Sequence, residues 1–136
     1  MQIREVFLSH SHHDRAFVSP LVDTLRRHGI PLWYSGTDII PAQQWHDEIG
    51  AALDRCDWFM IVLSANAMNS IWMRRELHYA LQQDRLADKI IPLLYQNCDY
   101  GKLSWTLSSY QMVDFRTGFE DGCRDLLRVW GLGFKP

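Results

Sequence analysis

The sequence is poor in the features that mark several common classes of protein. It has three cysteines, Cys56, Cys98 and Cys123, which are far apart and form no C-x-x-C pair, so we expect neither a disulfide framework nor a zinc knuckle. Its 14 lysines and arginines are scattered and its net charge is -2, which argues against a nucleic-acid-binding surface. It shows no leader pattern and no apolar run long enough to cross a membrane. We therefore expect a cytoplasmic protein with reduced cysteines that binds neither membranes nor nucleic acid directly.

Short apolar runs instead alternate with helical patterns along the 136 residues, a length that suits one compact domain. We predict strands over residues 6–8, 30–34, 58–63, 90–95 and 111–115. Such alternation is typical of an α/β sandwich with a parallel sheet. The uninterrupted apolar run 58–63 suits a central strand that is covered on both faces. We predict a flavodoxin-like, three-layer sandwich with helices on both faces of a sheet of order 2-1-3-4-5.

Two prolines lie inside predicted elements and affect their expected geometry. Pro20 lies inside the helical pattern of residues 14–28, so that helix either begins late, with Ser19 as its cap, or is kinked. Pro92 lies inside the fourth predicted strand, where it removes one hydrogen-bond donor from the ladder. This predicts an irregular or edge position for Pro92.

The predicted strand order also indicates where a ligand would bind. In such sheets ligands bind outside the carboxyl ends of the strands, where the order reverses, here between the first and third strands. Polar and aromatic residues end these strands and the neighbouring second strand. The candidates for binding at this edge are Ser9, His10, Trp33, Tyr34, Asp38 in the following loop, and Ser64. Each of them is also a plausible cap or core residue.

Glu76 lies on the third predicted helix at a position where an acidic residue is unexpected. At about 100° per residue, the apolar side chains of this helix form one broad arc that includes Tyr79, and Glu76 falls inside this arc beside Trp72. A carboxylate on the inward face of a helix is costly unless it is paired or has a chemical role. We therefore single out Glu76 as a candidate catalytic residue, with an ion pair to Arg74, Arg75 or a neighbouring lysine as the structural alternative.

A cluster of histidines after the first strand permits a different interpretation. His10, His12 and His13 lie within four residues, which suggests metal binding. No acidic or cysteine partner has the spacing of a metal-ligand set, however, and clustered histidines are often simply solvated. We therefore predict no metal site, and we interpret this segment as a turn in which Ser11 or Asp14 caps the next helix.

Taken together, these segments resemble the Toll/interleukin receptor (TIR) domain over nearly the whole chain. No single segment is specific, but the set occurs in the family's order. In this order, the matching segments are residues 7–11 with Asp14, residues 30–34, residues 38–41 with Trp45, residues 59–64, residues 70–72 with Glu76, residues 90–93 and residues 114–116. One departure is that Ala42 follows Pro41, where the family often has a glycine next to the proline.

The resemblance implies an enzyme that cleaves NAD between ribose and nicotinamide, yielding nicotinamide and ADP-ribose or a cyclic isomer of it. NAD is then a substrate, no cofactor is implied, and no G-x-G-x-x-G follows the first strand. Cleavage builds positive charge on the ribose, while nicotinamide leaves as a neutral molecule. One carboxylate that faces this charge can therefore be enough. Glu76 would have this role, and Trp72, one turn earlier, would form a wall of the pocket.

The resemblance also implies partners. Family enzymes are often activated by self-association with other TIR domains, and in bacteria they usually act with a sensor or effector protein in antiphage defence. We expect residues 1–136 to form a single TIR domain that belongs to, or works beside, a larger sensor system.

Two alternatives to an NAD-cleaving enzyme belong to other functional classes, namely a protein-binding adaptor and a phosphoacceptor receiver. Many animal TIR domains are non-catalytic adaptors that bind other TIR domains, but most would lack the pairing of Trp72 with Glu76. A phosphoacceptor receiver shares the strand order, but it needs acidic residues after the first strand and an Asp at the end of the third. Here Ser9, His10 and Ser64 occupy these places, which argues against a receiver.

Overall fold

A computed structural model describes residues 2–34 and 42–136, except for the side chains of residues 42–45. In this part of the chain, parallel strands form one sheet of order β2-β1-β3-β4-β5. The strands are β1 (Val6–Ser9), β2 (Leu32–Tyr34), β3 (Trp58–Leu63), β4 (Ile90–Leu94) and β5 (Val113–Asp114). The helices are α1 (Arg15–Arg27), α2 (Ala42–Arg55), α3 (Ile71–Leu81) and α4 (Phe119–Val129), and short 3-10 turns connect several of these elements. The predicted fold class and strand order are confirmed.

Alternate residues of each strand pack into two separate cores, one on each face of the sheet. Val6 and Leu8 of β1 pack with α1 and α4, whereas Phe7 packs with α2 and α3. This confirms the three layers. Because side chains alternate along a strand, Ser9 lies on the same face as Phe7, toward α2 and α3.

The central strand β3 is buried along its whole length. It pairs with β1 on one side and β4 on the other, and helices cover both of its faces. Burial on two faces explains why its sequence shows no alternation between apolar and polar residues.

The two prolines fit the fold in ways that the sequence only partly predicts. The first helix begins at Arg15 and contains Pro20, so Ser19 is not its cap. Because proline has no N–H group, the helix lacks the hydrogen bond that residue 20 would otherwise donate. The strand β4 is not at the edge of the sheet, since it pairs with both β3 and β5. Its pairing with β5 begins at Leu93, so Pro92 lies just outside that ladder.

The cysteines of the described chain are free thiols. Burial raises the pKa of both Cys56 and Cys123 to about 11, so these two thiols stay protonated at neutral pH. Within the described ranges, each helix is too short or too polar to traverse a lipid bilayer.

Candidate active site

Glu76 lies on the buried face of α3. Ser70 caps this helix, since its Oγ accepts a hydrogen bond of 3.2 Å from the Met73 N–H. The buried residues of α3 are Met73, Glu76, Leu77 and Ala80, and Glu76 is only 7% exposed. The inward position that the sequence pattern predicts for this carboxylate is confirmed.

The Glu76 carboxylate is hydrogen-bonded to the end of β1. The Ser9 hydroxyl donates to Glu76 Oε1 over 2.6 Å, and Ser9 is 1% exposed. Arg74 and Arg75 are exposed, and neither forms an ion pair with Glu76 in the described structure. The structural alternative of an ion pair on α3 is therefore wrong.

Burial strongly changes the acidity of Glu76. It raises the pKa of this carboxyl from an ordinary value of 4.5 to about 7, although the Ser9 hydrogen bond opposes the rise. Such a shift, in a group that borders a cleft, is typical of catalytic carboxylates. At neutral pH, a large fraction of Glu76 is ionised despite its burial.

Trp72 lies at the rim of the site rather than in the core. The apolar arc predicted from the sequence includes Trp72 and Tyr79, but these side chains are 38% and 36% exposed. The His46 ring of α2 meets the Trp72 ring edge-on, with centroids 5.7 Å apart, and the Arg75 guanidinium lies 5.2 Å from the same ring. Helical periodicity places both residues on the flank of the buried face, where they border an opening between two helices.

That opening is a cleft of about 280 Å³ between α2 and α3. Trp72 and Glu76 line one side, and apolar residues of α2, including Ile49 and Leu53, line the other. Tyr79 also borders the cleft and donates a hydrogen bond to Asp54, which links the two helices. The contribution of α2 was missed from the sequence, because Ile49 and Leu53 have the pattern of ordinary core residues.

A second cleft, of about 500 Å³, shares Arg75 and Tyr79 with the first. Arg74, His78 and Leu103 also line it, and its described lining includes no carboxylate. Arg74 and Arg75 give the second cleft a partly cationic lining.

Ser64 belongs to a different hydrogen-bond network. It is fully buried, its hydroxyl donates to the Asp14 carboxylate, and its Oγ accepts from the Ala67 N–H over 3.0 Å. Asn66 also donates to Asp14, over 2.9 Å. Asp14 thus ties the segment after β1 to the loop after β3 instead of capping α1 through its side chain. A substrate contact for Ser64 stays a prediction, and the structure gives its hydroxyl two protein partners.

We predict that Asp14→Ala lowers the free energy of unfolding by about 2 kcal/mol, since it leaves the buried hydroxyl of Ser64 without its acceptor and removes the carboxylate to which Asn66 donates. Urea denaturation measures this loss. The matched control is Asp125→Ala, which removes an exposed carboxylate on α4. Equal losses in the two variants would contradict a role for Asp14 as a link between the loops.

The other predicted binding residues lie on both sides of the sheet. Trp33 stacks on Phe7, with ring centroids 5.2 Å apart, in the core beneath α2 and α3. The His10 ring contacts the Tyr34 ring at 5.9 Å, and Tyr34 packs against the opposite core. The structure therefore brings Ser9, Trp72 and Glu76 together, but it does not gather all the predicted residues in one pocket. Asp38 and the second-loop segment 35–41 lie outside the described residues.

His10 is buried and neutral. Its Nδ1 is 3.0 Å from the Ser11 carbonyl oxygen, which can only accept, so Nδ1 carries the proton. Burial lowers the pKa of His10 below its ordinary value of 6.5. Its Nε2 is then an acceptor, and it has no partner among the described residues.

A parallel sheet of order 2-1-3-4-5, with a buried carboxylate beside a cleft between helices, defines an α/β domain with a candidate catalytic acid. The sequence model of the TIR domain matches residues 6–127. This chain therefore belongs to the TIR domain family.

Two curated relatives carry names that describe reactions of NAD or ADP-ribose. The chain is 29% identical to the NAD(+) hydrolase TcpC of Escherichia coli O6:H1 over 102 residues, which are 74% of this chain and 33% of TcpC. It is 26% identical to the 2' cyclic ADP-D-ribose synthase AbTIR of Acinetobacter baumannii over 88 residues, 64% of this chain and 33% of AbTIR. The chain thus matches about a third of the length of each relative.

Solved structures show the same fold. The TIR domain of the Toll-related receptor TRR-2 from Hydra magnipapillata superposes with a TM-score of 0.70 and 23% sequence identity, covering 91% of this chain and 95% of that domain. The TIR domains of the Roq1 resistosome give a TM-score of 0.70 at 17% identity, covering 93% of this chain and 98% of that one. At these identities, the likeness concerns the fold alone.

Proposed function

We propose that this chain cleaves NAD at the bond between ribose and nicotinamide, and releases nicotinamide and ADP-ribose or a cyclic isomer of ADP-ribose. The observation that carries the proposal is Glu76, a buried carboxylate with a pKa of about 7 that borders a cleft beside Trp72. The names of two relatives, an NAD hydrolase and a cyclic ADP-ribose synthase, support the same chemistry.

In the proposed reaction Glu76 stabilises positive charge. As the bond to nicotinamide breaks, the ribose ring acquires oxocarbenium character, and an ionised carboxylate in a poorly solvated cleft interacts strongly with it. Nicotinamide takes the bonding electrons and leaves as a neutral ring, so it needs no acid. Water, or a nucleophilic atom of the same ADP-ribose unit, then forms the new bond to the ribose carbon and releases its proton to solvent. Trp72 provides an aromatic wall against which a flat ring of NAD can stack.

The rest of NAD needs more room than the first cleft offers. The second cleft shares Arg75 with the first, and Arg74 borders it as well. Guanidinium groups bind phosphate oxygens through paired hydrogen bonds. We place the diphosphate of NAD along Arg75, so that the nicotinamide half reaches Glu76 and the adenosine half extends into the second cleft.

Activity should increase with pH through the pKa of Glu76. We expect kcat/KM for NAD to increase about tenfold per pH unit below about pH 7 and to level off above it, because only the ionised carboxylate stabilises the ribose cation. Initial rates of nicotinamide release between about pH 5.5 and 8.5 measure this, with enzyme-free blanks for alkaline NAD breakdown. A flat profile, or a rate that increases on acidification, would contradict the assigned charge state.

A second candidate function is that of an adaptor that binds other TIR domains. One observation favours it, namely that apolar side chains around α3 are exposed, Ile71 by 53% and Trp72 by 38%. The two functions can coexist, and we propose that assembly of TIR domains activates the enzyme. We further propose that it acts in the cytoplasm beside a sensor or effector protein in bacterial antiphage signalling.

Measuring assembly and activity on the same samples distinguishes an enzyme that is activated by assembly from a non-catalytic adaptor. Light scattering across a range of concentrations follows self-association, and chromatography after incubation with NAD identifies the products. Nicotinamide release that increases faster than the protein concentration supports an enzyme activated by assembly. If clustered protein assembles but consumes no NAD, the result supports the adaptor function and contradicts the proposed enzymatic activity.

A further inference from the structure

We propose that Ser9 is a positioning residue for the reaction, which fixes the orientation of the Glu76 carboxylate instead of binding substrate itself. The proposal rests on the proposed function of Glu76. Its basis is the 2.6 Å hydrogen bond from Ser9 Oγ to Glu76 Oε1, in which the two residues are 1% and 7% exposed. Ser9 is thus nearly inaccessible, while Glu76 lines the cleft. This changes the role that the sequence assigns to Ser9, which is that of a substrate contact.

The sheet holds Ser9 in a fixed place. Ser9 is the last residue of β1 and pairs with Ile61 of the buried central strand. Its short side chain therefore presents the hydroxyl from a rigid backbone toward α3. A donor that is fixed in this way holds one oxygen of the longer and more flexible Glu76 side chain.

One carboxylate oxygen then remains for the ribose. Glu76 Oε1 is bound by Ser9, and Oε2 has no partner among the described residues. A carboxylate anchored through one oxygen does not need to reorganise when positive charge develops in the cleft. Without the anchor, the side chain would sample several rotamers, only some of which face the substrate.

The same hydrogen bond favours the ionised form of Glu76. The Ser9 hydroxyl donates to the carboxylate and lowers its pKa, against the larger effect of burial. The other titratable groups in the described lining of the cleft are His46 and Asp54 on α2, and Arg75 and Tyr79 on α3. Burial and the Ser9 hydroxyl are the two causes that set the pKa of Glu76. Loss of the hydroxyl should therefore raise that pKa further.

Comparison of Ser9→Ala with Ser9→Thr tests the proposal. Alanine removes the hydroxyl, so kcat for NAD cleavage at pH 7 should fall about tenfold with little change in KM, and the midpoint of the pH profile should move up by about one pH unit. Threonine keeps the hydroxyl and should restore both values. Ser19→Ala, an exposed serine on α1, is the matched control and should behave as the wild type.

A readout that needs no activity separates this proposal from the proposed function. Carbon-13 NMR of the Glu76 carboxyl gives its titration midpoint in the wild type and in Ser9→Ala. An upward shift in Ser9→Ala supports the Ser9 assignment. An unchanged midpoint overturns it, and so does a change in KM alone, which would make Ser9 a substrate contact. If the wild type cleaves no NAD under any assembled condition, it is the proposed function that fails, and the NMR midpoint still decides whether Ser9 controls Glu76.

Discussion

Replacing Glu76 with glutamine is expected to reduce the rate of NAD cleavage by about 100- to 1,000-fold, the effect of losing one preorganised electrostatic contact to a transition state. Glutamine has the shape of glutamate, and its carbonyl oxygen can still accept the hydrogen bond that Ser9 donates to Oε1. The variant therefore removes the negative charge and changes little else. The loss should fall mainly on kcat, since the ribose is most positive in the transition state.

The control for this substitution is Glu120→Gln. Glu120 lies in the first turn of α4, on the other side of the sheet from the cleft, and its side chain is exposed. Initial rates of nicotinamide release at about pH 8 compare the two variants with the wild type. We expect Glu120→Gln to retain full activity. An equal decrease in both variants would point to a general loss of folded or assembled protein instead of a loss of catalysis.

The substitution Glu76→Gln is also expected to stabilise the fold at alkaline pH. Because the pKa of Glu76 is raised in the folded state, folding favours the protonated form of this carboxyl. The resulting contribution to stability is fully present below pH 4.5, the pKa in the unfolded chain, and is lost as the pH rises through about 7. A tenfold change in a protonation equilibrium is worth about 1.4 kcal/mol, so the penalty for ionised Glu76 is about 3 kcal/mol. Glutamine does not ionise and avoids this penalty.

Chemical denaturation at about pH 4 and about pH 8 tests this second expectation. The difference in unfolding free energy between Glu76→Gln and the wild type should shift by about 3 kcal/mol in favour of the variant at the higher pH. Other carboxylates titrate alike in both proteins and cancel in this difference. If this difference were the same at both pH values, burial would not raise the pKa of Glu76 in the folded protein. A gain of stability in Glu76→Gln would be the trade-off between stability and activity that is expected if Glu76 is a functional residue.

Sequence periodicity was enough to predict the main features of α3 and β3. A helix of about 3.6 residues per turn places Glu76 among the inward residues, and an apolar run without alternation identifies a doubly covered strand. Both are local patterns that involve few neighbouring residues. The exposure of Trp72 was not predictable in this way, because periodicity places this residue on the flank of α3 but its exposure depends on where α2 packs.

The contacts of the site depended on the three-dimensional arrangement. Ser9 and Glu76 are 67 residues apart in the chain, and their hydrogen bond requires both the strand order and the face of β1. Once Phe7 is known to lie in the core beneath α2 and α3, the face of Ser9 follows, since Ser9 is two positions further along the strand. Similarly, Asp14 and Ser64 were separately assigned to a cap and a pocket, whereas the fold joins them to each other.

The most direct test of the central claim is nicotinamide release at about pH 8 by the wild type and by Glu76→Gln, each clustered at the same density on a support. The claim is that the buried carboxylate of Glu76 drives NAD cleavage. It predicts that the wild type converts NAD to nicotinamide and an ADP-ribose product, while the glutamine variant, equally folded, releases almost none. Equal release by the two proteins, or none from either, would contradict it.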